Sequence, residues 1–146
     1  MGCEKSTPKP QNRPTLQVAR APKNNDPVKT VFLGSIGVGK SRTVLQLSGR
    51  IAEFNDDSTS AAGTNVTRNL DLKGHGSTLV AIWDTAGEER YFSVSKSFIR
   101  NAQAIFFLYN VASKETFESL KDFWIKNAME VANPDIPCIL LGNKCD

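Results

Sequence analysis

Apolar residues along this chain gather into short runs, each ended by glycine or by a cluster of polar residues. Val28–Leu33 (Val-Lys-Thr-Val-Phe-Leu) is rich in β-branched residues and stops at Gly34. Thr78–Trp83 (Thr-Leu-Val-Ala-Ile-Trp), the strand-like Ala104–Asn110 and Pro137–Leu141 (Pro-Cys-Ile-Leu-Leu) have the same character, so all four runs predict strands. Two other stretches read as helical. Lys40–Ser48 has helix-compatible residues and stops at Gly49, a glycine placed to close a helix. After Ser113, a residue suited to an N-cap, Phe117, Leu120, Trp124, Ala128 and Val131 fall on one helical face. Those residues are expected to be core.

Composition separates the first 27 residues from the rest. The whole chain has 146 residues, enough for one domain with a real core, and is 40% hydrophobic and 23% charged. Its net charge of +3 belongs to the front. Residues 1–30 carry six basic side chains (Lys5, Lys9, Arg13, Arg20, Lys23, Lys29) against Glu4 and Asp26, whereas the remainder is close to balance. A basic tail on a neutral domain argues against a nucleic-acid-binding face. Pro8, Pro10, Pro14, Pro22 and Pro27 fall in the same stretch, beside few bulky apolar groups. Residues 1–27 are therefore expected to be a disordered, basic, Pro-rich tether, and residues 28–146 the folded domain.

Other chemistry is bounded by what the chain contains. Cys3, Cys138 and Cys145 have neither disulfide-framework nor metal-ligand spacing. His75 is the only histidine, which leaves no His-based zinc site or catalytic triad. No run approaches the ~20 apolar residues of a membrane span, and the start lacks the apolar core of a secretion signal. The expectation is a cytosolic, reduced protein.

Three phrases carry candidate chemistry, each at the end of a predicted strand. Gly34-Ser35-Ile36-Gly37-Val38-Gly39-Lys40-Ser41 lies between a strand and a helix. In that setting successive backbone N–H groups form an anion nest and the helix terminus adds partial positive charge. Gly34, Gly37, Val38 and Gly39 would then cradle phosphates, Lys40 would reach them, and the Ser41 hydroxyl would hold Mg²⁺. Asp84-Thr85-Ala86-Gly87 closes the next strand, with Asp84 placed to anchor Mg²⁺ and Gly87 to offer an N–H to a terminal phosphate. Asn143-Lys144-Cys145-Asp146 follows the last strand. A carboxylate accepts from a ring N–H and an exocyclic amine together, a donor pair that guanine presents and adenine does not. Asp146 is therefore the candidate selector of guanine, with Asn143 and the stem of Lys144 walling the base. Together the phrases describe a GTP/GDP site with Mg²⁺.

These residues resemble the Ras superfamily of small GTPases, and Trp83 ahead of Asp84-Thr85-Ala86-Gly87-Glu88-Glu89-Arg90-Tyr91 is similar to the Rab family in particular. The similarity runs from about Val28 to Asp146 and includes Phe98-Ile99-Arg100-Asn101-Ala102. The resemblance implies an α/β fold: a P-loop NTPase with a mostly parallel sheet, helices on both faces and the nucleotide at the strands' carboxyl edge. It further implies a GTPase serving as a switch in vesicle traffic, with an exchange factor, an activating protein and effectors as partners. Four departures qualify this. Glu88 stands where the family places a water-orienting Gln, so hydrolysis is expected to be slow. Ile36 occupies a normally small position, where it would crowd an arginine finger. In the first switch, Ala61 falls at the expected Thr, leaving Ser60 or Thr64, or neither, as the Mg²⁺ ligand, and the aromatic that should follow is missing. Finally, the family's last strand, its Ser-Ala-Lys loop and its final helix lie beyond Asp146, so the domain is expected to be C-terminally truncated, with an apolar sheet face uncovered.

The front of the chain adds a membrane signal. Met1-Gly2-Cys3-Glu4-Lys5-Ser6 fits the pattern for myristoylation of Gly2, and Cys3 is placed for palmitoylation. Two acyl chains and a basic tether make a stable anchor where one chain does not. The expected location is the cytoplasmic face of endomembranes, endosomal in type, or of the plasma membrane. Two readings follow: a membrane-anchored GTP/GDP switch with slow hydrolysis, or a non-catalytic tethered adaptor that binds partners regardless of nucleotide. An ATP-dependent kinase would have no use for Asp146.

Overall fold

The computed structural model describes residues 26–50, 65–74 and 76–146. Within them the apolar runs pair side by side. Strand β1 (Val28–Leu33) lies at the middle of a five-stranded sheet, parallel to β3 (Gly76–Asp84) on one side and to β4 (Ala104–Asn110) on the other. Strand β5 (Cys138–Asn143) continues the parallel set beyond β4, and β2 (Asn65–Leu72) runs antiparallel along β3. The order is β2-β3-β1-β4-β5. In the register, Val31 faces Trp83 and Ile105, and Phe32 faces Asp84 and Phe106.

Alternation along β1 divides the interior in two, because successive side chains point to opposite faces. Val31 and Leu33 enter one core with Phe92 and Ile99 of helix α2 (Phe92–Ile99) and with Leu120, Trp124 and Ala128. Phe32 enters the other, with Val44 of helix α1 (Lys40–Ser48), Val38, Val66, Ile82 and Leu108. Burying each such side chain contributes about 1.5–3 kcal/mol. The fold is the expected one, a mostly parallel sheet with helices on both faces.

Local signals held for most elements. Helix α1 ends as its glycine predicts: Gly49 is left-handed (φ 76°), its N–H donates to Gln46 O at 3.1 Å, and Arg50 N–H donates to Leu45 O at 2.9 Å. These two bonds satisfy carbonyls that the helix end would leave open. The later helix starts at its predicted cap, Ser113, but that hydroxyl donates to Glu115 Oε2 (2.7 Å) rather than accepting from the backbone. The helix is also not uniform. It runs as α3 (Lys114–Ser119), a π-helical stretch (Leu120–Ile125) and α4 (Lys126–Met129). Leu120, Trp124 and Ala128 are buried as expected, whereas Phe117 is exposed and rests edge-on against Tyr109, with ring centroids 5.1 Å apart.

Strand β2 and helix α2 were not foreseen from the pattern. Among the described side chains of β2 only Val66 is buried, and its sequence is too polar to stand out as an apolar run. The better signal was the pair Gly74 and Gly76, both with positive φ, which marks a hairpin. For α2 the signal was Phe92, Ser95 and Ile99, all buried on one helical face.

Candidate functional site

Because β1, β3, β4 and β5 are parallel, their carboxyl ends share one edge, and the turn after each strand opens there. The turn after β1 joins strand to helix α1, with Gly34, Gly37 and Gly39 at φ 146°, 74° and 96°. A side chain at Gly39 would also collide with the Asn143 amide, so glycine is required there twice over. Lys40 is the first residue of α1 and folds back under the turn. Its Nζ donates to Gly34 O at 2.8 Å and to Ser35 O at 2.9 Å, and only 6% of the residue is exposed. Burial pushes the amine down to about 8, while the Asp84 carboxylate pulls the other way. Ser41 follows in the first turn of the helix.

Asp84 ends β3 beside Phe32 and is buried. The next residue pins the turn: Thr85 Oγ1, also buried, donates to Phe32 O at 2.6 Å. Gly87 then passes so close to the first turn that a Cβ on it would lie 2.5 Å from Ile36 N and 2.6 Å from Lys40 Nζ. No larger residue fits without displacing one of them. Two sequence phrases that lie far apart in the chain thus meet at a buried lysine.

The third phrase arrives through Asn143. Its Nδ2 donates to Val38 O at 2.8 Å, and its own carbonyl accepts from Val111 N–H at 3.0 Å. The side-chain amide of Asn143, a residue expected to wall the base, thus braces the turn after β1. Lys144 is left-handed (φ 61°), a conformation that costs a non-glycine residue about 1–3 kcal/mol. Lys144 and Asp146 are both exposed.

Glu88, expected at the water-positioning place, has a charged partner. A turn closed by Tyr91 N–H donating to Glu88 O (3.0 Å) brings Glu88 against Arg90, and the two form an ion pair. The same guanidinium lies 5.0 Å from the centroid of the Tyr91 ring. Glu89 is engaged separately. Its Oε1 accepts from Ser119 Oγ (3.2 Å), which accepts from Ser35 Oγ (3.1 Å). Ser35, Thr85 and Arg90 lie inside the quoted phrases but were assigned no role there, and Ser119 carries no motif signal. Ile36 projects outward at 63% exposure. Gly2, Cys3, Ser60, Ala61 and Thr64 lie outside the described residues.

Among the described residues no cluster of three or more His, Cys, Asp or Glu could ligate a metal alone. The Ser41 hydroxyl and the Asp84 carboxylate are hard oxygen donors on neighbouring turns. That sparse set suits Mg²⁺, which takes one or two protein oxygens and fills its shell with phosphate and water. No helix among the described residues is long and apolar enough to cross a membrane.

A family profile described as "Ras family" matches residues 29–146. Among curated proteins, the chain is 34% identical over 119 residues to Ras-related protein Rab-8A of Gallus gallus, covering 81% of this chain and 56% of that one. It is 35% identical over 118 residues to a Ras and EF-hand domain-containing protein of Danio rerio, covering 81% of this chain and 17% of that one. The chain thus spans little more than half of one relative's length and a small part of the other's.

Proposed function

The chain belongs to the Ras family of small GTPases, and we propose that it acts as a Rab-type GTP/GDP switch with slow hydrolysis, carried to membranes by acyl groups on Gly2 and Cys3. The observation that carries the nucleotide part is the meeting of Lys40, Asp84, Gly87 and Asn143 at one sheet edge, around a glycine-lined turn. In this reading the N–H groups of residues 37–41 and the Lys40 amine bind phosphate oxygens. A phosphate near Lys40 restores the charged amine that burial disfavours, so binding raises its pKa. Ser41 and Asp84 hold Mg²⁺, which when bound neutralises phosphate charge. Asp146 accepts the guanine donor pair, and adenine leaves that carboxylate unsatisfied. Glu88 occupies the water-positioning place without an amide N–H to offer, and its pairing with Arg90 further limits it, which supports slow turnover.

The test is binding of fluorescent GDP and GTP to the 146-residue chain with Mg²⁺, with unlabelled ATP as competitor, followed by single-turnover hydrolysis. Tight binding insensitive to ATP, with a slow burst of phosphate, is the expected result. Displacement by ATP would overturn the guanine assignment. A folded chain that binds neither nucleotide would turn the reading to the tethered adaptor.

A further inference from the structure

The Glu88–Arg90 pair bears on how this site tells a triphosphate from a diphosphate. Glu88 follows directly on Gly87, whose backbone packs against Ile36 and Lys40, so its backbone lies next to the place proposed for the terminal phosphate. A bare carboxylate there would repel GTP more than GDP, because GTP carries the additional phosphate on that side. Such repulsion reaches across several ångströms at the intermediate dielectric of a protein surface.

The chain supplies a counter-charge two residues away. Three features place Arg90: the turn from Glu88 to Tyr91, the ion pair to Glu88, and its guanidinium 5.0 Å from the Tyr91 ring centroid. The neighbouring acid is occupied as well, since Glu89 accepts from Ser119. Resting on the nucleotide reading above, we infer that Arg90 is a specificity-determining residue: by holding Glu88 it neutralises the extra negative charge and preserves affinity for GTP relative to GDP. Arg90 acts through Glu88, so it is a positioning residue and does not touch the phosphates. The guanidinium is largely exposed, which makes the expected effect modest and sensitive to salt.

The experiment measures GTP and GDP affinities for the wild-type chain, Arg90→Ala, Glu88→Gln and the double variant, at low and at physiological salt. Arg90→Ala is expected to weaken GTP roughly threefold to tenfold more than GDP, most strongly at low salt. On the Glu88→Gln background the same change should alter the ratio less than about twofold, and Arg90→Lys should retain most of it. An unchanged GTP/GDP ratio in Arg90→Ala would overturn the inference. So would an equal loss in both backgrounds, which would mean that Arg90 contacts the nucleotide directly. Either result leaves the nucleotide reading standing. A folded wild-type chain that binds neither nucleotide instead removes that reading and this inference together.

Discussion

Strands β1 and β5 share an apolar character and have opposite circumstances. Each is an apolar run that ends at the same sheet edge in a motif-bearing turn. In β1, Val31 and Leu33 are wholly buried and Phe32 nearly so. In β5, Ile139 is 41% and Leu140 52% exposed. The difference is positional. β1 has a strand on either side and helices over both faces, whereas β5 has β4 on one side. The turns inherit the contrast. The one after β1 is held by Lys40 from beneath and by Asn143 from the side, while Lys144 and Asp146 after β5 are exposed. The turn after β1 is therefore built into the core, whereas the residues after β5, a strand held by its ladder to β4, are exposed.

Three changes would break or sharpen this contrast. The largest effect is expected from truncating the core: Leu33→Ala should cost about 3–4 kcal/mol in denaturant unfolding, and Leu140→Ala less than about 1 kcal/mol. Equal costs would mean that β5 is covered in solution. Next, Lys40→Ala should weaken GDP and GTP binding about a hundredfold in titration, since charge-assisted bonds to phosphate contribute about 1.5–3 kcal/mol each. A loss under about threefold would show that the turn binds phosphate without the amine. The smallest is a pH effect. An unfolded lysine keeps its proton until near 10.5, but folded Lys40 gives it up at about 8. Between those values the unfolded chain holds the extra proton, so the stability of the protein without nucleotide should rise with pH. The slope should be at most about 1.4 kcal/mol per pH unit. Lys40→Met should remove that rise, and a slope unchanged by the variant would show that Lys40 keeps its charge when folded.

How far the sequence reading reached follows from which signals are local. Val28–Leu33, Lys40–Ser48 and Ala104–Asn110 were found to the residue, because apolar clustering and glycine placement mark an element without help from its neighbours. Strand β2 escaped because its partner β3, rather than its own apolar content, keeps it in the sheet. The π-helical stretch around Trp124 escaped too, since the 3.6-residue spacing of Leu120, Trp124 and Ala128 is what an ordinary helix would show. Within the site, Lys40, Asp84 and Gly87 were legible as spaced motifs. Asn143 was legible as a residue, whereas its hydrogen bond to Val38 O was not.

What the sequence determined by itself is the family and most of the elements, through short patterns whose backbone requirements only a few residue types meet: glycines at the tight turn, a lysine opening the helix, a carboxylate closing a strand. Tertiary structure decided the rest. It set which of two similar apolar runs is buried, joined Glu88 to Arg90 and Glu89 to Ser119, and turned Asn143 onto the phosphate-type turn. Apart from the Glu88–Arg90 pair, which a local turn closes, those outcomes depend on chain segments that meet only after the sheet forms.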